Sequence, residues 1–238
     1  MRLSKITIAT GLAFVFLVST IAPGISFAYG TSIVTIDKSS DEPTVLMTGF
    51  EPFDPYDVNP AQLIAESLDG QEIEGVRIVG ISVPVDFNDS IAVVTQTIEQ
   101  YDPVIVISIG LEARICLIHV EKVGVNLKQV PVDEGGWLRY RRIDPSGPFL
   151  RVSSLPTRCI AQAMRGEGVP ARQSIYAGTY VCNSLLYGVL RYITKEDIPI
   201  KAGFIHVPLL SSQDPEKGME LEDMIEAVTI AISVSLKT

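Results

Sequence analysis

"TVLMTGFEPFDPYDVNPAQLIAESL", residues 44–68, passes from one kind of hydrophobic pattern to another. Its first seven residues, TVLMTGF (44–50), form a short apolar, partly β-branched run of the kind that makes a buried strand. Its last nine, PAQLIAESL (60–68), read as a helix opening on Pro60, where a first turn tolerates proline. The same alternation continues outward. VRIVGISVPV (76–85), VIVISIG (104–110), ICLIHVEKVGVNL (115–127) and AGFIHVPLL (202–210) read as strands. NDSIAVVTQTIEQY (88–101), PTRCIAQAMRGEG (156–168), TYVCNSLLYGVLRYI (179–193) and MELEDMIEAVTIAISVSL (219–236) read as helices, with Pro156 again at a helix start. Strands alternating with helices predict βαβ units. The expected fold is therefore α/β: a three-layer α/β/α sandwich with a mostly parallel twisted sheet, covered on both faces. KQVPVDEGGWLRYRRIDPSGPFLRVS (128–153) reads as one long irregular insertion, the kind of loop that often serves as a lid or a binding element. Ligands of open α/β sheets collect at the C-terminal strand ends. That rule brings together the end of 44–50, the turn before Cys182 and the end of 202–210.

This domain, 44–238, follows two other segments. Residues 1–28 combine a basic start (MRLSK), an uncharged apolar run and a PGISFA ending with Ser26 and Ala28 at small-residue positions, the pattern of a signal peptide. Pro23 and Gly24 break the run where such peptides end; the alternative is an uncleaved membrane anchor. Either way, the body is expected to be exported. Residues 29–43 are polar and aperiodic and suit a linker. The 238 residues carry 19 Lys and Arg against 28 Asp and Glu, a net charge of −9. Loss of Arg2 and Lys5 with the first segment leaves 17 against 28, or −11. Such a surface argues against a nucleic-acid partner, which needs basic side chains to displace counterions. The three cysteines, Cys116, Cys159 and Cys182, form no CxxC or Cys/His cluster, so a structural zinc site is not expected. An odd count outside the cytosol leaves at least one thiol free or bridged to another chain.

His119 and His206 are the only imidazoles available for chemistry. Cys182 sits at the opening of a helix after YAGTY, where Gly178 permits a tight turn and Thr179 is placed to cap. The helix dipole and the unpaired N–H groups of a first turn favour a thiolate. They also hold an oxyanion formed on attack at a carbonyl. The bland alternative is a cysteine packed under Leu186 and Val189. His206, at a strand end before Pro208, is placed to exchange protons with such a thiol; as core it would bond a carbonyl. Glu121 stands in an apolar strand and needs a partner there, and a carboxylate can fix an imidazole tautomer. In a regular strand His119 and Glu121 share a face and Cys116 takes the other, which disfavours Cys116 as nucleophile. Cys159, beside Ile160 and Ala163, reads as helix core.

Four stretches resemble the pyroglutamyl peptidase I family of cysteine peptidases. TGFEPFDPYDVNP (48–60) is similar to its opening signature, GLEARICLIHVEKVGVN (110–126) to its glutamate motif, SIYAGTYVCNSLLY (174–187) to its cysteine motif and AGFIHVP (202–208) to its histidine motif. The likeness runs from about Val45 to the last helix. It implies a compact α/β/α sandwich that removes N-terminal pyroglutamate from peptides without a cofactor. It further implies Cys182 as nucleophile, His206 as general base then acid, Glu121 orienting His206, and a ring pocket lined by Phe50 and Phe53 with Asn59 near it. Relatives of this kind are often oligomeric, which makes a homo-oligomer an expected state. The chain departs from the family at His119 (Ser or Thr), at Gly124 (Ala), at the pair Arg114–Ile115 (Gly–Arg) and at VPVD (130–133, for IPDN). These departures bear on affinity and acyl specificity rather than on the three chemical groups. Two other functions fit the same residues: an amidase for a different small acyl group, and a binding protein without turnover.

Overall fold

The computed structural model describes residues 26–29, 32–35, 42–131 and 138–238. The chain divides into two units, Met1–Ser40 and Asp41–Thr238. In the first, β1 (Ser26–Tyr29) pairs antiparallel with β2 (Ser32–Thr35), so part of the stretch expected to be a plain linker is strand. Residues 1–25 of the expected signal segment lie outside the described residues.

In the second unit the order is β3 (Thr44–Phe50), α1 (Pro60–Leu68), β4 (Glu72–Ile73), β5 (Val76–Val83), α2 (Asp89–Tyr101), β6 (Ile105–Leu111), β7 (Ile118–Glu121), β8 (Val123–Val125), β9 (Lys128–Pro131), β10 (Leu138–Arg141), β11 (Leu150–Val152), α3 (Thr157–Gly166), β12 (Ala171–Ser174), α4 (Val181–Lys195), β13 (Lys201–Val207) and α5 (Leu221–Lys237). Seven strands make the main sheet, ordered β12-β7-β13-β6-β3-β5-β4. The central four, β13, β6, β3 and β5, are mutually parallel. β7 runs against β13, carrying its parallel partner β12 with it, and β4 runs against β5.

The apolar alternation decides which helices cover which face. Val45 and Met47 of β3, Ile105, Ile107 and Ile109 of β6, and Ile205 and Val207 of β13 point into a core shared with α1, α3 and α5. Leu46, Phe50, Val106, Ala202 and Phe204 point the other way, into a core shared with α2 and α4. Strands buried on both faces need apolar residues at every position, which is why the central runs read so plainly in the sequence. α1 begins where expected because Asn59 caps it: its side chain accepts from the Ala61 N–H at 3.0 Å, and Pro60 occupies the next position. A cap of this type is worth about 1 kcal/mol.

The expected strand 115–127 is interrupted. Residues 112–117 turn, and the remainder divides into β7 and β8, which belong to different sheets, with β9 beginning only after it. The 128–153 insertion is more regular than expected, since β9 pairs with β10 and β11 with β8. Buried Asn126 anchors it, donating to the Asp144 carbonyl at 2.7 Å and the Pro148 carbonyl at 3.0 Å while accepting from the Asp144 N–H at 2.8 Å. Tyr187 of α4 donates to the same Pro148 carbonyl at 2.9 Å. Among the described residues, no helix is long and apolar enough to cross a membrane.

Candidate active site

The ends of β7 and β13 and the start of α4 meet at one place on the α2/α4 side of the sheet. His206, near the end of β13, has the same orientation as Phe204 two residues earlier and is 4% exposed. Glu121 closes β7 and is fully buried. Its carboxylate Oε1 lies 2.8 Å from His206 Nδ1. Cys182 is the second residue of α4 and is half-buried. With Nδ1 engaged by Glu121, Nε2 is the imidazole nitrogen left for the thiol. Burial alone depresses the His206 pKa, but hydrogen bonding and charge from Cys182 and Glu121 outweigh it and carry the value up to about 10. A buried cation is tolerated only beside such partners.

The turn into α4 explains how the thiol is presented. Gly178 adopts φ of +79°, a conformation that favours glycine. Thr179 does not cap the helix. Tyr180 is the cap residue, without a side-chain cap bond, and the Thr179 carbonyl instead accepts from the Gln129 N–H of β9 at 2.8 Å. No side-chain cap therefore occupies the first N–H groups of α4, the groups a helix start offers to a ligand oxygen. Two further residues hold the thiol in place, and neither stood out in the sequence. Gly110 on β6 lies opposite His206, where a Cβ would come 3.0 Å from Cys182 Sγ and 2.8 Å from Phe204 Cζ. Asn183, fully buried, pins α4 to β8: its Oδ1 accepts from Val125 N–H at 2.8 Å, and its Nδ2 donates to the Val125 and Leu127 carbonyls, each at 2.9 Å. The polar residue directly after Cys182, at a helix position facing the core, was the available signal.

The other expected residues are also accounted for. Phe50, Phe53 and Asn59 line a narrow cavity beside Cys182 together with Val85, Leu111 and Tyr180. Phe50 is buried, and Phe53 stacks edge-on against Tyr56 with centroids 5.4 Å apart. Asn59 stands there as a structural post, its two polar ends taken by the Ala61 N–H and the Glu51 carbonyl. The cavity is about 20 Å³, room for one water, and Tyr180 at its wall is exposed. His119 does not compete for Glu121 Oε1. Its Nε2 lies 2.9 Å from Arg172 Nε, which can only donate, so this ring is a neutral acceptor. Burial first, and the Arg172 charge second, lower its pKa. Gly124 lets β8 sit against α4, where a Cβ would meet the Tyr187 nitrogen at 3.1 Å. Arg114 pairs with Glu112 at 2.7 Å, and Ile115 follows in the same turn. Of the 130–133 stretch, Val132 and Asp133 lie outside the described residues.

Cys116 and Cys159 are both exposed. For Cys159 this corrects the expectation of helix core: α3 buries Thr157, Ile160, Ala161 and Met164, and Cys159 falls off that face. Cys116 lies in the turn ahead of β7 rather than on a strand face.

A thiol at a helix start, facing an imidazole already held by a buried carboxylate, is the equipment of hydrolases that work through a cysteine. Comparison with known proteins narrows that class. A family model described as pyroglutamyl peptidase matches residues 43–238. Pyrrolidone-carboxylate peptidase 1 of Caldanaerobacter subterraneus subsp. tengcongensis is 39% identical over 199 residues, covering 81% of this chain and 98% of that protein. The pyrrolidone-carboxylate peptidase of Mycobacterium tuberculosis is 37% identical over 204 residues, covering 81% and 92%. Among solved structures, the pyrrolidone carboxyl peptidase of Thermococcus litoralis matches with a TM-score of 0.75 at 33% identity over 82% of this chain and 94% of that one. Pyroglutamyl peptidase I of Bacillus amyloliquefaciens matches with a TM-score of 0.76 at 33% identity over 82% and 95%. The chain belongs to the pyroglutamyl peptidase family of enzymes.

Proposed function

We propose that this enzyme removes N-terminal pyroglutamyl residues from peptides through Cys182, His206 and Glu121. The observation that carries the reading is the 2.8 Å contact between Glu121 Oε1 and His206 Nδ1, which turns the other ring nitrogen toward a thiol at the start of α4. The Cys182 sulfur, as thiolate, attacks the pyroglutamyl carbonyl carbon. The carbonyl oxygen gains the negative charge and is held by N–H groups of the first turn of α4. As the C–N bond breaks, the His206 imidazolium gives its proton to the departing amine, leaving a thioester. Water then adds to the thioester while His206 takes its proton, and pyroglutamate leaves with the thiolate restored. Glu121 keeps the ring oriented and stabilises its charged form throughout. Pyroglutamate is a small, flat, uncharged lactam, suited to aromatic walls such as Phe50 and Phe53 with few polar groups. No step calls for a metal or cofactor.

The reading also includes export. The basic, apolar and small-residue succession of residues 1–28 supports it. A thiol enzyme outside the cytosol is open to oxidation, so recovery of activity by a reductant is expected. The test of function is release of a fluorescent amine from a pyroglutamyl amide by the chain and by its Cys182→Ala variant. Turnover lost in the variant supports the assignment. No turnover by folded, reduced protein whose Cys182 still alkylates rapidly near neutral pH points to another acyl group; an inert thiol as well would favour binding without catalysis.

A further inference from the structure

Two cavities flank the Cys182–His206 pair, and they differ in chemistry. The narrow one on the Cys182 side is walled by Phe50, Phe53, Val85, Leu111 and Tyr180. The second, about 550 Å³, is lined by His206 itself and by Glu112, Arg114, His119, Arg172 and Tyr176 among others. If the peptidase mechanism above holds, on which this inference rests, the polar cavity has a definite use. The group that protonates the leaving amine must lie within hydrogen-bond reach of it. The departing peptide therefore lies on the His206 side, and the acyl ring on the other.

The charges of this wall are unequally matched. Glu112 holds Arg114 through two contacts, 2.7 Å to Nε and 3.2 Å to a terminal nitrogen. Glu121 is committed to His206. Arg172, exposed on edge strand β12, is different: its Nε donates to the neutral ring of His119 at 2.9 Å, and no carboxylate pairs with it among the described residues. That one bond orients the guanidinium while leaving its terminal nitrogens for a ligand. A guanidinium fork fits a carboxylate closely.

We propose that the polar cavity receives the departing portion of the substrate and that Arg172, oriented by His119, selects for a carboxylate on it. Two sources present that group: the C-terminus of a pyroglutamyl dipeptide, and an acidic side chain directly after pyroglutamate. Arg172 touches only the departing portion, so its role is specificity and its effect belongs in KM.

The test measures kcat/KM of the full chain for two substrate pairs. Pyroglutamyl-alanine is compared with pyroglutamyl-alanine amide, and pyroglutamyl-Glu-Ala-amide with pyroglutamyl-Gln-Ala-amide. Each ratio cancels any general change in the enzyme. The expected preference for the charged member of at least one pair is about fivefold, the scale of a solvent-facing ion pair, carried by KM with kcat unchanged. The pair showing it identifies the carboxylate source. In Arg172→Gln the ratio falls to one, and Arg172→Lys keeps part of it. In the unmodified enzyme, where folding of a variant is not at issue, the preference shrinks as salt rises to about 0.5 M. Equal rates within both pairs, or a preference that survives Arg172→Gln, overturns the inference while leaving the peptidase reading intact. Failure to cleave any of the four substrates overturns the peptidase reading itself, and this one with it.

Discussion

Replacing Glu121 by Gln tests how the buried pair works, because it removes a charge and almost no volume. Glu121 Oε1 meets His206 Nδ1 at 2.8 Å, and a glutamine carbonyl can accept the same hydrogen bond. The second carboxylate oxygen, Oε2, is buried without a partner among the described residues, so a glutamine NH₂ placed there loses water and gains no acceptor. That group adds about 1–3 kcal/mol of destabilisation. The electrostatic loss is larger. Opposite charges about 4 Å apart interact by about 4 kcal/mol at an effective dielectric near 20, or roughly 10³ in an equilibrium constant. Glu121 and Cys182 together bring His206 from 6.5 to about 10, against burial that opposes them. With the carboxylate gone, the imidazolium is lost at lower pH. The alkaline limb of kcat/KM on a pyroglutamyl amide should move from near 10 toward neutrality, and the plateau should fall about 10²- to 10³-fold. Stability follows the same sign. A histidine whose folded pKa is raised stabilises fully below its unfolded value of 6.5, and this contribution disappears as pH rises through about 10. The wild-type melting temperature should thus drop across that window, and the variant's should drop less. Activity within threefold of wild type and an unmoved alkaline limb would refute the electrostatic account of Glu121.

Gly110→Ala places a methyl 3.0 Å from Cys182 Sγ and 2.8 Å from Phe204 Cζ. A destabilisation of about 1–3 kcal/mol is expected from the overpacking, with a fall in kcat of about 10²-fold from displacement of the sulfur; a crystal structure showing Sγ unmoved would count against it. Asn183→Ala strips three hydrogen bonds, two joining α4 to β8 and one to Leu127 just beyond it, leaving one N–H and two carbonyls to find other partners. A loss of about 2–4 kcal/mol in chemical denaturation is expected, at ~1 kcal/mol or more per bond; a midpoint within error of wild type would show that β8 is held by other means. Cys116→Ser and Cys159→Ser change exposed thiols, and both should leave kcat/KM and, to within about 0.5 kcal/mol, stability unchanged. A hundredfold loss in either would relocate the nucleophile.

The central sheet was legible because β3, β6 and β13 are buried on both faces, and unbroken apolar runs have few other uses at that length. β12 escaped notice for the opposite reason: ARQS is four residues on a sheet edge, with Arg172 and Gln173 exposed. The strand pairings of the insertion were hidden too, since Leu138–Arg141 is exposed throughout and its sequence carries no burial pattern. Thr179 looked like a cap from its position. It lost that place to Tyr180 because its backbone is taken by β9, a contact between residues fifty positions apart that no local pattern records.

Sequence alone determined which residues were candidates for chemistry. Cys182 follows a glycine turn into a helix, His206 ends an apolar strand, and Glu121 is a carboxylate where burial demands a partner. Those are local facts, set by hydrophobic period and turn chemistry. Tertiary structure decided the pairings. Only the reversal of β7 against β13 brings Glu121 beside His206 and leaves His119 to Arg172. The physical reason is that hydrophobic burial selects the face of a strand without specifying its neighbour. Strand order and register, fixed by the whole packed core, assign each buried polar group the one partner that makes its burial affordable.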